Sequence, residues 1–163
     1  AQGQFGALRA AAGQGAVSAI AVVSARLDLD FGSPLYCEAS VPTITVTVAD
    51  APPERLAAAR AAGDVLIAGS GQVDLSLAMD GLMSRGLRRI LCEGGPRLLG
   101  ALAAEGLLDE LCLSLSPKLL AGDAVRILNG PAPAAPVNLA ISSMLTEDDF
   151  VFVRYRVIAE GAA

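Results

Sequence analysis

Two adjacent glycines, Gly94 and Gly95, are the residues whose type and spacing best suit ligand binding. They follow the apolar run at residues 89–92, which we predict to be a buried strand, and they precede Pro96, which fits the first position of a helix. A strand that turns on glycines into a helix leaves backbone N–H groups and the positive end of the helix dipole free for a phosphate. The same glycines would also serve a tight turn without a ligand, so position alone leaves both interpretations open. The spacing is not G-x-G-x-x-G, so a standard Rossmann dinucleotide site is not indicated.

Three further sites follow predicted strands. Ser24 and Arg26 come after a strand at residues 19–23, where a hydroxyl and a guanidinium would suit a ribose phosphate or would simply be solvated. The small residues 68–71 lie at the end of a strand at 64–68 and form either a place of close ligand approach or a flexible turn. Glu93 would accept a hydrogen bond from a substrate amine or ring N–H, or cap backbone groups.

Composition excludes several classes of function. The chain has 163 residues, 53% of them hydrophobic and 18% charged, and its net charge of −5 argues against a nucleic-acid partner. The apolar runs are shorter than the roughly 20 residues that cross a bilayer. There is no histidine, and the three cysteines lack metal-like spacing, so zinc sites and histidine-based nucleophilic catalysis are excluded. We expect Cys92 and Cys112 to be small buried residues, a usage that suits a reducing cytoplasm.

The pattern of elements predicts one α/β domain. Strands are expected at 19–23, 43–48, 64–68, 88–92, 110–116, 138–145 and 150–158. Helices are expected at 53–61, with Asp50 as N-cap, and at 74–84 and 96–105; a short helix at 6–12 lies in an N-terminal connector. Residues 31–41 are expected to be irregular. This alternation predicts a mostly parallel central sheet that ends in an antiparallel hairpin across residues 146–149.

The motifs at residues 93–102, 106–111 and 116–122, together with 20–29, resemble the C-terminal reductase domain of the bacterial riboflavin-biosynthesis deaminase/reductase. The resemblance covers about residues 19–157. It implies the dihydrofolate reductase-like fold, a three-layer sandwich.

The resemblance also implies a cofactor, NADPH, and roles for individual residues. The cofactor phosphates would lie at the glycine turn and the following helix start, that is, at Gly94, Gly95, Pro96, Arg97, Leu98 and Leu99, flanked by Gly100 and Ala101. Ser24 would contact the adenosine half, Arg26 the 2′-phosphate, and Glu93 the substrate. The reaction would reduce the ribose of 5-amino-6-(5-phosphoribosylamino)uracil to the ribityl chain.

One segment of the family pattern is expected to be missing. Residues 1–163 match a single reductase domain without its N-terminal strand–helix–strand portion, which carries the acidic residue near the reacting carbon, so no catalytic residue is assigned. We therefore expect these residues alone to bind NADPH weakly and to turn over nothing. Two alternatives remain open: a reductase of dihydrofolate or another pterin on the same fold, and a non-catalytic nucleotide-binding or assembly module. The C-terminal hairpin and the aliphatic composition also suggest a homodimer.

Overall fold

The computed structural model describes residues 2–124, 126–132 and 135–158. The chain divides into two compact units, Ala1–Arg88 and Arg89–Ala163. Each unit is built around a three-stranded sheet of its own.

The first unit is a parallel α/β structure. Its strands are β1 (Ala21–Val23), β2 (Ile44–Thr47) and β3 (Asp64–Ile67), paired in the order β1-β2-β3 with all neighbours parallel. Its helices are α1 (Gln2–Ala11), α2 (Pro34–Cys37), α3 (Pro53–Ala62) and α4 (Leu75–Ser84). Because the strands are parallel, their carboxyl ends share one edge of the sheet.

Helices cover both faces of the parallel sheet. Alternate side chains of β2 point to opposite faces, and Ile44 and Val46 pack with Ala78 and Leu82 of α4. On the other face, Ala59 of α3 packs in a cluster whose members are Leu27, Val48 and Ala51. This unit is therefore three layers deep, and its central strand is buried at every position.

A row of threonines lies on the α3 face of β2. Thr43, Thr45 and Thr47 are fully buried. The Thr43 hydroxyl donates to the Leu35 carbonyl oxygen at 2.5 Å, and the Thr45 hydroxyl lies 3.2 Å from the Tyr36 hydroxyl in α2. These two bonds satisfy polar groups that burial would otherwise leave unpaired.

The second unit is antiparallel. Helix α5 (Pro96–Ala104) precedes β4 (Glu110–Leu115), and β5 (Leu139–Glu147) and β6 (Phe150–Val157) complete a sheet of order β4-β6-β5. Asp148 and Asp149 connect β5 to β6 with φ angles of 49° and 65°. Two consecutive residues with positive φ form a type I′ turn, whose twist matches that of the hairpin. Strand β6 lies in the centre of this sheet, and Val153 is its most buried residue.

The fold class predicted from the sequence is confirmed: the chain is α/β, with parallel strands first and an antiparallel hairpin last. The last three strands pair only with one another among the described residues, so the parallel part is three strands wide. Helix α1 begins earlier than expected, and α2 forms one turn inside the segment predicted to be irregular.

The strand predicted at residues 88–92 is wrong. These residues form no strand, and the side chains of Ile90 and Leu91 are 42% and 78% exposed. An apolar run becomes a strand only where a neighbour offers free backbone groups, and none of the described strands pairs with this run.

Two smaller expectations are also wrong. Cys112 is exposed, because it lies on the outward face of β4, and Cys92 is only half-buried. Asp50 does not cap α3, whose N-cap is Pro52. The carboxylate of Asp50 instead accepts a hydrogen bond from the Gly71 amide.

Candidate functional site

The Gly94-Gly95 turn lies open at the start of α5. Gly94 has φ +85°, in the left-handed region that favours glycine, and the peptide bond between the two glycines is cis. A Cβ on Gly95 would meet no atom within 4 Å, and one on Gly94 would meet only the Pro96 nitrogen at 4.0 Å. Packing against neighbouring atoms therefore gives no reason for glycine at position 95.

The first turn of α5 lacks the groups that normally satisfy a helix start. Gly95 is the N-cap and has no side chain to bind the free amides, and the first turn contains no acidic residue. Arg97, one residue after Pro96, is exposed and places a positive charge where the helix dipole is already positive. Free amides beside a guanidinium form a favourable environment for an anion, so this helix start fits the phosphates of a nucleotide.

The rest of the predicted cofactor motif divides into exposed and packed positions. Pro96, Leu98, Leu99 and Ala101 are half-buried, and the Leu99 amide donates to the Gly95 carbonyl oxygen at 3.1 Å. Gly100 is buried, and a Cβ there would lie 2.6 Å from the carbonyl oxygen of Asn129. The Asn129 amide also donates to the Pro96 carbonyl oxygen at 2.9 Å. Internal packing therefore accounts for glycine at position 100.

Glu93, predicted to face the substrate, is exposed directly before the turn. Its carboxylate makes no hydrogen bond or ion pair with a residue that the structure describes. It is thus available to an incoming donor.

In the first unit, Ser24 follows β1 at the carboxyl edge of the parallel sheet. Its amide donates to the Val46 carbonyl oxygen at 2.9 Å, and its hydroxyl oxygen accepts the Leu27 amide at 3.0 Å. Leu27 is fully buried with φ 54°, and its carbonyl oxygen accepts a bond from Arg55 at 3.3 Å. The hydroxyl hydrogen of Ser24 stays free to donate to a ligand while its oxygen holds this turn.

Arg26 lies on the same turn and is exposed. The ion pair at this turn is formed by Arg55, which is about half exposed, and Asp28, which lies largely in solvent, with 3.6 Å between the charged atoms. Within the described ranges, Arg26 forms no ion pair. The structure thus brings Ser24 and Arg26 together in the first unit and brings Glu93, the glycines and Arg97 together in the second.

Sequence reasoning missed the role of Asp50 beside the loop at residues 69–71, here called the 69–71 loop. Asp50 Oδ1 accepts the Gly71 amide at 2.7 Å. That bond, together with one from its own amide, lowers the pKa of the Asp50 carboxyl below its ordinary 3.8; burial opposes the shift, and the Ser70 hydroxyl adds a lesser lowering effect. The two residues are 21 positions apart, so no local pattern reveals the contact.

Two classes of site are not found in the described part of the chain. No group of histidine, cysteine, aspartate and glutamate residues there could hold a metal ion. No helix among those residues is long and apolar enough to cross a membrane.

Comparison with known proteins gives the family. The family model described as the RibD C-terminal domain matches residues 10–150 of this chain. The 2,5-diamino-6-ribosylamino-4(3H)-pyrimidinone 5′-phosphate reductase of Methanothermobacter thermautotrophicus is 34% identical over 71% of this chain and 56% of its own length. The enzyme of the same name from Archaeoglobus fulgidus is 30% identical over 49% of this chain and 37% of its own length. The chain thus spans about half the length, or less, of these curated relatives.

Solved structures agree on the fold. A pyrimidine reductase-like protein of Corynebacterium diphtheriae superposes with a TM-score of 0.79 at 23% identity, covering 95% of this chain and 67% of that one. A riboflavin biosynthesis reductase of Saccharomyces cerevisiae gives 0.64 at 17% identity, covering 85% and 68%. These likenesses show the dihydrofolate reductase-like fold. With the family model matching most of its residues, the chain belongs to the RibD C-terminal domain family.

Proposed function

We propose that this protein is an NADPH-dependent reductase of riboflavin biosynthesis, and that residues 1–163 belong to one reductase domain. The observation that carries the proposal is the Gly94-Gly95 turn, which is open on the outside and leads into an uncapped helix start beside Arg97. The family and the names of the two archaeal relatives support the type of reaction.

The candidate residues are assigned to different parts of the cofactor and to the substrate. The amides at the start of α5 and the Arg97 guanidinium would hold the cofactor diphosphate. The Ser24 hydroxyl would donate to the adenosine half, and Arg26 would recognise the 2′-phosphate that distinguishes NADPH from NADH. When bound, the cofactor supplies a hydride to the sugar carbon, so the contribution of the protein is alignment and polarisation. Glu93 would accept a hydrogen bond from a nitrogen of the pyrimidine.

The substrate class is a phosphoribosylamino-pyrimidine. We favour 5-amino-6-(5-phosphoribosylamino)uracil, which would be reduced to the ribityl compound. The names of the archaeal relatives specify a diaminopyrimidinone instead, which differs from the uracil on the ring and not at the sugar. Both substrates present the same ribose to the hydride, so the choice depends on contacts with the ring.

The test is NADPH oxidation by the full-length protein, with the uracil, the diaminopyrimidinone or dihydrofolate as substrate. We expect turnover of one of the ribosylaminopyrimidines and none of dihydrofolate. Turnover of dihydrofolate alone would overturn the proposed substrate class. Failure to bind NADPH in a nicotinamide fluorescence titration would favour a non-catalytic module.

Selectivity for the cofactor tests the role of Arg26. Arg26→Ala should weaken NADPH binding by about tenfold, the effect of one charge-assisted phosphate contact, and leave NADH binding unchanged. Arg60→Ala, at an exposed arginine in the last turn of α3, is the matched control. An equal loss of both nucleotides in the Arg26 variant would contradict 2′-phosphate recognition.

Glu93→Ala tests contact with the substrate, because it removes the carboxylate oxygens that would accept the hydrogen bond. It should raise the KM for the pyrimidine while the KM for NADPH stays constant. A change confined to NADPH would remove it from that role.

We also propose a homodimer that acts in the cytoplasm. Strand β5 is an edge strand with exposed apolar side chains on both faces, and Ile141, Met144 and Leu145 are each at least 60% exposed. An edge of this kind needs cover in a stable protein. The cysteines are free, as in a reducing compartment. Light scattering at micromolar concentration should give the mass of two chains, and a monomer would reject the dimer.

A further inference from the structure

The 69–71 loop is tied to the end of β2 at two points. The Ala49 amide donates to the Gly69 carbonyl oxygen at 2.9 Å, and the Gly71 amide donates to Asp50 Oδ1 at 2.7 Å. The first bond continues the backbone pairing of the sheet. The second depends on a single side chain.

The loop has little else to fix its shape at Gly71. Gly69 and Gly71 have φ of +98° and +73°, and a Cβ on Gly71 would meet nothing within 4 Å. Glycine loses more conformational freedom on ordering than any other residue. Gly71 is therefore held by its bond to Asp50 and not by packing.

The base of the loop is held by hydrogen bonds that do not involve Asp50. The Asp74 amide donates to the Ala68 carbonyl oxygen at 3.0 Å, and the Asp74 carboxylate caps α4 through the Leu77 amide at 2.9 Å. The loop therefore begins and ends at fixed points. Between them, Ser70 and Gly71 are exposed, and the Gly71 amide is bonded to the Asp50 carboxylate.

The loop shares an edge of the sheet with Ser24. Ser24 follows β1, Asp50 follows β2 and the 69–71 loop follows β3; because the three strands are parallel and adjacent, all three lie at their carboxyl ends. In open parallel sheets, ligands bind at this edge. Ser24 is assigned above to the adenosine half of the cofactor, so the loop lies along the same edge as that half.

We propose that Asp50 is a positioning residue for the cofactor: its carboxylate holds the 69–71 loop in the shape that the adenosine half of the nucleotide meets. This inference rests on the proposed function. Asp50 acts through the Gly71 amide and touches no reacting atom. Its carboxylate is negative, so a direct effect on the anionic nucleotide would be repulsive, and removing it would then tighten binding. A positioning role predicts the opposite sign.

The test compares Asp50→Ala with Asp50→Asn in the full-length protein, by NADPH fluorescence titration and steady-state kinetics. The alanine variant loses the acceptor, and its Kd for NADPH should rise on the order of fivefold, the effect of about one hydrogen bond. The asparagine variant keeps an acceptor oxygen without the charge, and its Kd should stay within about twofold of wild type. The KM for the pyrimidine should not change in either. Asp80→Ala, at an exposed carboxylate on α4, is the control and should bind as wild type does.

The outcomes separate this inference from the proposed function. If the wild type binds NADPH and both Asp50 variants bind equally well or more tightly, the positioning role is wrong and the proposed function stands. If the alanine variant loses cofactor and pyrimidine affinity alike, Asp50 is a general structural residue and the inference also fails. If the wild type does not bind NADPH, both fail together.

Discussion

In the 69–71 loop, a Cβ on Gly69 would lie 2.7 Å from the Gln72 carbonyl oxygen and 3.1 Å from the Asp74 amide nitrogen. In the Gly94-Gly95 turn, a Cβ on Gly95 would meet no atom within 4 Å. Gly69 also has φ +98°, whereas Gly95 has φ −72°, which any residue can adopt.

These two positions show how glycine at a strand end or helix start can be interpreted. Neighbouring atoms and backbone angle both require glycine at position 69. Neither requires it at position 95, and we propose that glycine there serves a ligand that approaches from outside, because backbone exposed at an uncapped helix start is suited to a phosphate. The two glycines therefore predict different mutational effects: a substitution at position 69 should reduce stability, and one at position 95 should reduce ligand binding.

The largest effect is expected for Gly69→Ala. The added methyl group would overlap backbone atoms at an unfavourable φ, so we expect the free energy of unfolding to fall by about 3 kcal/mol in a denaturant titration. Gly71→Ala is the control, since it shares the positive φ but has open space, and should cost about 1 kcal/mol. Equal losses in the two variants would show that packing does not define this loop.

Gly95→Ala should affect binding instead. We expect the Kd for NADPH to rise by at least about tenfold, or about 1.4 kcal/mol, because a methyl group blocks close approach to the helix start. The free energy of unfolding should change by less than about 1 kcal/mol, the cost of alanine at an N-cap.

Gly100→Ala is the matched control in the same helix. Its Cβ would lie 2.6 Å from the Asn129 carbonyl oxygen, so it should mainly reduce stability. If Gly95→Ala proved as destabilising as Gly100→Ala and left the Kd for NADPH unchanged, the proposal that Gly95 serves ligand binding and not stability would be wrong.

The sequence predicts those elements whose cause is local. Helix α4 follows from its apolar spacing, and the β5–β6 hairpin follows from two strand-like runs joined by the acidic turn at residues 146–149. The strand expected at residues 88–92 is wrong because a strand needs a partner, and a partner is not a property of the run itself. Asp50 was assigned to a local cap, whereas its contact, Gly71, is 21 residues away.

The candidate site likewise combines a local motif that the sequence predicts with distant contacts that it does not. The contiguous motif at residues 93–102 identifies the glycine turn and its family. The motif does not show which glycine is open and which is packed, because Gly100 is fixed by Asn129, a residue outside the motif. Contacts made by distant segments separate the glycine with open space around it, Gly95, from the glycine that packs against the protein, Gly100.

Thr47 tests whether a side chain without an internal hydrogen-bond partner always indicates a ligand. Its hydroxyl makes no hydrogen bond within the described residues, yet it is fully buried, so no ligand reaches it. Thr47→Val should therefore leave the Kd for NADPH unchanged and keep or raise stability, by up to about 1 kcal/mol. Thr45→Val should lower stability by about 1 kcal/mol, because it leaves the buried Tyr36 hydroxyl unpaired. A loss of NADPH binding in the Thr47 variant would show that a missing partner points to a ligand even in the core.

The smallest expected effect concerns the hydrogen bond from the Gly71 amide to the Asp50 carboxylate, which holds the 69–71 loop. The pKa of Asp50 is lowered in the folded protein, so its contribution is complete above the ordinary value of 3.8 and is lost as pH falls through the folded pKa. Amide hydrogen exchange, corrected for intrinsic rates, should therefore show Gly71 losing protection in acid. The Ala49 amide, which donates to a backbone carbonyl, should keep its protection over the same range. Both hydrogen bonds hold the same loop. If the Gly71 amide alone loses protection in acid, the loss is due to the Asp50 carboxylate and not to the backbone pairing. Simultaneous loss at both amides would mean that the loop opens as a unit and that Asp50 does not fix its tip.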